Sequence, residues 1–107
     1  MTDRPGDYLT YEFGGEIAVM TGKKADYFYI AVPRDISDHI RHFTGHIQRG
    51  FKSLKVRAQI GATGWDSSIF PSTRENTFFL LLSKKIRTAE KLEKGDMARV
   101  ELNVRMD

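Results

Sequence analysis

The chain has 107 residues, with no cysteine, three prolines and a single tryptophan. The absence of cysteine excludes a disulfide scaffold, a thiolate nucleophile, an iron–sulfur cluster and a cysteine-based zinc site. No apolar run reaches the roughly 18 residues of a membrane span, and residues 1–5 are too polar for a signal peptide. We therefore expect one cytoplasmic domain over residues 8–107, a flexible N-terminus over residues 1–7, and no membrane contact.

The net charge is also small, since 17 Lys and Arg against 14 Asp and Glu leave +3. So small an excess is ordinary for solubility. The distribution is nevertheless uneven, because the stretch between His39 and Trp65 contains no acid. Five basic residues fall there: Arg41, Arg49, Lys52, Lys55 and Arg57. This clustering indicates either a solvated face or a surface for an anionic partner such as nucleic acid.

Alternating apolar and polar residues predict six short strands. The first starts at Tyr8, and the pair Gly14-Gly15 predicts a bend before the alternation resumes at Ile17. The other five are predicted at residues 27–32, 54–60, 65–70, 77–82 and 98–104. Residues 77–82 are apolar on both faces, so we expect a helix or a partner molecule to cover the outer face of this strand.

Two short helices are predicted from the spacing of apolar residues. Asp35 is expected to cap the first helix, whose apolar stripe would hold Ile36, Ile40 and Phe43. Ser83 is expected to cap the second helix. Six strands and two helices in about 100 residues favour a mainly β fold, a small closed or pseudo-closed barrel with helices over its ends.

Three stretches of the chain resemble a known bacterial family. They are residues 28–33, residues 49–71, which contain Gly50-Phe51 and Trp65, and residues 83–96. In this order they resemble the family called domain of unknown function 1905, over nearly the whole chain. The resemblance implies a six-stranded double-split β-barrel capped by two short α-helices. The family's biochemical role is not established, so the resemblance leaves the function open.

Catalytic and metal-binding motifs give little support to an enzyme. His39, His42 and His46 are spaced so that an unbroken helix could gather a metal ion. Because Gly45 is expected to end that helix, a solvated flank is the simpler interpretation. The serines lie in no nucleophile elbow, and residues 61–65 lack the ending of a phosphate-binding loop. We therefore predict no catalytic residue, no metal and no cofactor.

The basic residues carry the leading functional hypothesis. Lys55 and Arg57 share the outward face of a strand. Three further cations lie at the start of the second helix, where the positive end of the helix dipole repels them. This arrangement indicates an external anion, because anions favour helix N-termini. Trp65 is interpreted either as a core residue or as the wall of a pocket. The candidate residues for binding a ligand or anion are Arg49, Lys52, Lys55, Arg57, Trp65, Lys84, Lys85 and Arg87.

Two functional hypotheses stay open, beside the interpretation of the basic residues as solvated faces. The first is a non-catalytic binding module for an anionic ligand or nucleic acid. The second is a protein-interaction or homodimerisation module that uses the strand at residues 77–82. A small enzyme is a third hypothesis, for which the sequence contains no supporting motif.

Overall fold

The computed structural model describes residues 8–45 and 53–106. Over these ranges the chain forms β1 (Tyr8–Glu16), β2 (Ala18–Thr21), β3 (Asp26–Ala31), α1 (Arg34–Thr44), β4 (Leu54–Ile60), β5 (Thr63–Ser72), β6 (Thr77–Leu82), α2 (Lys84–Ala89) and β7 (Met97–Arg105). The strands make one antiparallel sheet in the order β1-β7-β4-β5-β6-β3-β2.

The sheet is curled, because its two edge strands are neighbours along the chain. Only Ile17 separates β1 from β2. Its amide donates to the carbonyl of Asp96 (2.8 Å), and its carbonyl accepts from the amide of Gly95 (2.9 Å). The backbone therefore leaves β7 at Ile17 and then pairs with β3. A Cβ atom at Gly15 would overlap the side chain of Ile30, so glycine permits this close approach of β1 to β3.

The structure confirms the mainly β class and the two helices, but it has seven strands over the described residues where the sequence predicted six. The difference arises at Ile17, which splits the expected first strand into β1 and β2. Gly14 and Gly15, predicted as the bend, instead stay in the ladder opposite Arg99 and Ala98.

Strict alternation in the sheet supplies most of the core. In β4 and β7 every second side chain is buried, and the intervening polar or charged side chains face outward. The buried residues of these two strands are Leu54, Val56, Ala58, Ile60, Ala98, Val100, Leu102 and Val104. Each buried valine, leucine or isoleucine side chain among them contributes about 1.5–3 kcal/mol of transfer free energy.

Helix α1 starts earlier than predicted, and its inward face matches the predicted stripe only in part. The N-cap is Pro33, whose φ is restricted by its ring, and Asp35 lies in the first turn rather than at the cap. The predicted stripe is correct at Ile40, which is fully buried, and at Ile36, which packs against the core. It is wrong at Phe43, which is 43% exposed. The helix instead buries two hydroxyl side chains beside Ile40: Ser37 and Thr44.

The hydroxyl of Ser37 connects α1 to the sheet. Its Oγ donates to the carbonyl of Val32 (3.1 Å) and accepts from the backbone amide of Phe78 at the start of β6 (3.2 Å). All three residues are fully buried. A buried polar side chain is tolerated here because both of its hydrogen-bonding roles are satisfied.

Helix α2 has the predicted cap but is only six residues long. The Oγ of Ser83 accepts from the amide of Ile86 (3.3 Å), and the side chain of Ile86 is buried. Just beyond the helix, the carboxylate of Glu90 accepts a hydrogen bond from the hydroxyl of Thr63 (2.6 Å), which ties this end to the β4–β5 turn. Neither helix of the described chain is long and apolar enough to cross a membrane.

Candidate functional site

The candidate site is a cleft that opens where β5 and β6 separate. Their ladder runs from Ser72 opposite Thr77 to Ile69 opposite Leu80 and extends no further. Beyond that point β5 follows β4 to the turn at Gly61, whereas β6 follows β3. The backbones therefore diverge, and the gap between them becomes a surface cleft rather than continuous sheet.

This cleft, which we call the split cleft, has a volume of about 490 Å³, within the usual range for small-molecule sites. Both apolar and charged side chains reach it. Its lining consists of Asp26, Tyr27, Phe28, Trp65, Asp66, Ser67, Leu81, Leu82, Ser83, Lys84 and Arg87. The strands supply the aromatic rings and the two carboxylates, and α2 supplies the two cations.

Arg87 is the best-positioned cation of the split cleft. Its guanidinium carbon lies 3.6 Å from the centre of the Phe28 ring, a cation–π stack, and its Nε donates to the carbonyl of Leu82 (3.4 Å). Within residues 8–45 and 53–106 its two terminal nitrogens make no hydrogen bond or ion pair. The planar fork is therefore held in place while its outer donors remain available.

Trp65 both packs against the core and lines the split cleft. Its two sequence-based interpretations are thus compatible, because one part of the indole meets the core and another faces the gap. In the register it lies opposite Ala58, a fully buried residue of β4. Sequence alternation alone gives no sign that β5 loses its β6 partner at this point.

Two further clefts adjoin the split cleft. One, of about 580 Å³, shares residues 66, 67 and 81 with it and is also lined by Lys55, Phe70 and Arg105. The other, of about 510 Å³, lies along α2 and shares Lys84 and Arg87. Together they place several of the predicted basic residues along one connected stretch of surface.

The predicted site residues therefore fall into three groups. The split cleft and its neighbours bring together four of them: Lys55, Trp65, Lys84 and Arg87. Arg57 and Lys85 lie outside the linings of these clefts, and Arg57 pairs with Asp66 (3.1 Å). Arg49 and Lys52 lie outside the described residues.

Sequence reasoning missed Phe28, Asp26 and Asp66 as neighbours of these cations. Phe28 was indicated only as part of an aromatic strand, and its contact with Arg87 depends on the packing of α2 against β3. The dipole of α2 is also weak, because six residues align few peptide dipoles, so its predicted contribution to anion binding is small. The electrostatics of the site thus depend on side-chain charges.

A second feature is the outer face of the neighbouring strands, which is aromatic. Tyr29 of β3 stacks on Phe79 of β6 with ring centres 4.2 Å apart. Phe79 lies opposite Phe70 of β5, which is 43% exposed, and Tyr27 is 49% exposed. The helices of the described chain leave Phe79 and Leu81 partly exposed, so a helix does not fully cover this face of β6. The alternative expectation, that a partner molecule covers it, stays a prediction.

The histidines of α1 contact aromatic rings. The Nδ1 of His39 is 2.5 Å from the hydroxyl of Tyr11, and the rings of His39 and His42 pack against Phe43. Burial raises the pKa of the Tyr11 hydroxyl. No group of three metal-ligating side chains occurs in the described parts of the chain, and His46 lies outside them.

The curled sheet, the two helices and the cleft at the strand divergence define a small, mainly β domain. The family model described as a domain of unknown function, DUF1905, matches residues 13–102. The chain belongs to this family, as its sequence motifs suggested. No curated protein matches the chain.

Proposed function

We propose that this protein is a non-catalytic binding module for a small anionic ligand, which occupies the split cleft. The observation that carries the proposal is the position of Arg87, whose guanidinium is stacked on Phe28 beside a cleft that Lys84 also lines. A fixed guanidinium loses little side-chain entropy when it binds a phosphate or carboxylate. Its available terminal nitrogens can donate two parallel hydrogen bonds to such a group.

The cleft favours a small ligand over a long nucleic acid. Two carboxylates, Asp26 and Asp66, line the same space as the two cations. A continuous polyanion would meet these acids, whereas a compact anion held near α2 need not approach them.

The single tryptophan provides a direct test, because it lines the cleft. Inorganic phosphate, sulfate and citrate would be titrated at low ionic strength while Trp65 emission is recorded. We expect a saturable change with at least one of them. Arg87→Gln should weaken that binding about tenfold or more, since a charge-assisted hydrogen bond contributes about 1.5–3 kcal/mol.

Lys85→Gln is the matched control. It removes the same charge from the same helix, but Lys85 is exposed and lies outside the cleft linings. We expect this variant to bind like the unmodified protein. Equal weakening by both substitutions would indicate only a general charge effect, and no response to any anion would contradict the proposal.

A second candidate function is homodimerisation through the aromatic outer face of β3, β5 and β6. The observation in its favour is the group of partly exposed rings formed by Tyr27, Tyr29, Phe70 and Phe79. A stable interface buries about 800 Å² on each partner. Sedimentation over a wide concentration range would show a dimer that Phe70→Ser disrupts, whereas a monomer throughout would exclude this candidate.

We further propose that the curled sheet is the six-stranded double-split barrel that the family resemblance implies, with β1 and β2 acting as one bent strand. The single residue between these strands supports the proposal, as does the divergence of β5 from β6. Hydrogen exchange would test it: Ile17 should be protected like the adjoining strands, and rapid exchange there would count against a continuous strand.

A further inference from the structure

We propose that the ligand of the split cleft carries a planar, nitrogen-containing aromatic ring as well as its anionic group, as a mononucleotide does. This inference rests on the proposed function, since it assumes that an anion binds beside Arg87. It assigns a second role to the cleft, recognition of the ring by Trp65 and the nearby carboxylates.

The first argument is the packing and the contacts of the Trp65 indole. It is half-buried and packs against the core, which restricts its motion. In the described part of the chain, however, it stacks on no ring and no cation, and its N–H makes no hydrogen bond. A restrained aromatic side chain without a stacking partner is a suitable platform for a flat ligand, because little conformational entropy remains to be lost.

The second argument is the distribution of charge around the cleft. The cations Lys84 and Arg87 both come from α2, whereas the carboxylates Asp26 and Asp66 both come from strands. A simple anion such as phosphate, held near α2, uses only the cations and leaves the two carboxylates without a role. A ligand with an anionic end and N–H groups on a ring uses both sets, since carboxylates accept hydrogen bonds from ring nitrogens and amino groups.

The third argument concerns Asp66, which has a carboxylate oxygen available to a ligand of the cleft. Its Oδ1 accepts from Nη1 of Arg57 (3.1 Å), and its other oxygen has no hydrogen bond to the described residues. The Arg57–Asp66 pair is exposed and contributes little to stability. Asp66 therefore brings to the cleft a carboxylate oxygen that is able to accept a hydrogen bond from a ring nitrogen or an amino group.

The size of the cleft agrees with such a ligand. Its volume of about 490 Å³ lies within the range of about 300–1,000 Å³ typical of small-molecule sites. Apolar side chains, Leu81 and Leu82, complete the lining between the rings and the charges. The neighbouring clefts extend the surface, which gives room for a substituent on either side.

The test compares four probes by calorimetry: inorganic phosphate, ribose 5-phosphate, adenosine and adenosine 5′-monophosphate. We expect the nucleotide to bind at least about fivefold more tightly than ribose 5-phosphate, the lower end of what base stacking on an aromatic side chain gives. Trp65→Leu should remove this preference. Trp65→Phe, which keeps a ring, should retain most of the preference.

A circular dichroism spectrum like that of the unmodified protein shows that each variant is folded. Equal affinity for the nucleotide and ribose 5-phosphate would overturn the inference, while the anion site at Arg87 would stand. Absence of binding by all four probes would contradict this inference. Failure of the proposed function itself is recognised separately, by the lack of any Trp65 response to phosphate, sulfate and citrate. Tight binding of single-stranded oligothymidylate without binding of the mononucleotide would overturn the inference in favour of nucleic acid.

Discussion

Replacing Ser37 by alanine should destabilise the protein substantially, although serine-to-alanine is a small change. The hydroxyl is fully buried and makes two hydrogen bonds, one to the carbonyl of Val32 and one from the amide of Phe78. The substitution leaves the buried amide of Phe78 without its acceptor. An orphaned buried donor costs about 1–3 kcal/mol, and the lost bond to Val32 adds about 1 kcal/mol. We therefore expect a loss of about 2–4 kcal/mol.

Urea unfolding followed by circular dichroism measures this loss directly. The midpoint should fall while the slope m stays unchanged, and the thermal midpoint should drop by roughly 10 °C or more. Ser53→Ala is the control, because Ser53 is exposed just before β4, and it should change stability by less than about 0.5 kcal/mol. If Ser37→Ala were equally mild, the hydroxyl would not connect α1 to the sheet as described.

Two further predictions concern the β4–β5 turn and Tyr11. Gly61 has a positive φ of 57°, and a side chain there would also overlap the carboxylate of Glu90. Gly95 has a positive φ of 93° with open space around it, and this φ lies outside the left-handed region that L residues adopt at moderate cost. Because the Glu90 carboxylate is the end of a flexible side chain and can move aside, Gly95→Ala should cost at least as much stability as Gly61→Ala by urea unfolding, and a clearly larger loss in Gly61→Ala would contradict this reasoning. Burial raises the pKa of Tyr11, so the folded state holds this proton more tightly than the unfolded state. The contribution of Tyr11 to stability is therefore complete below its ordinary pKa of about 10 and is lost as the pH rises through its folded pKa. Stability measured against alkaline pH should fall less steeply in Tyr11→Phe than in the unmodified protein, and identical slopes would contradict the assignment.

Much of the fold could be predicted because its strongest signals are local. The alternation in β4 and β7 follows directly from which side chains face the core, and Ser83 has the residue type and position of a helix cap. The break at Ile17 could not be predicted, since it depends on bonds to residues 95 and 96, far along the chain. The start of α1 was misassigned because Pro33 precedes the helix and Asp35 follows its first residue.

The candidate site was predictable only in part, for a similar reason. The sequence identifies Trp65 and the cations of α2 as unusual residues, and the structure places three of them around one cleft. The cleft itself results from the end of the β5–β6 ladder at Ile69, and ladder length is a property of tertiary pairing. The stack of Arg87 on Phe28 joins residues 59 positions apart, so local patterns carry no sign of it.

The central claim is that Arg87 holds an anion in the split cleft. The measurement that tests it most directly is a titration of Trp65 emission with inorganic phosphate, performed on the unmodified protein, Arg87→Gln and Lys85→Gln under the same low-salt conditions. Our account predicts saturable binding in the first and third proteins and about tenfold or greater weakening in Arg87→Gln. An Arg87→Gln variant that binds phosphate as well as the unmodified protein would contradict it.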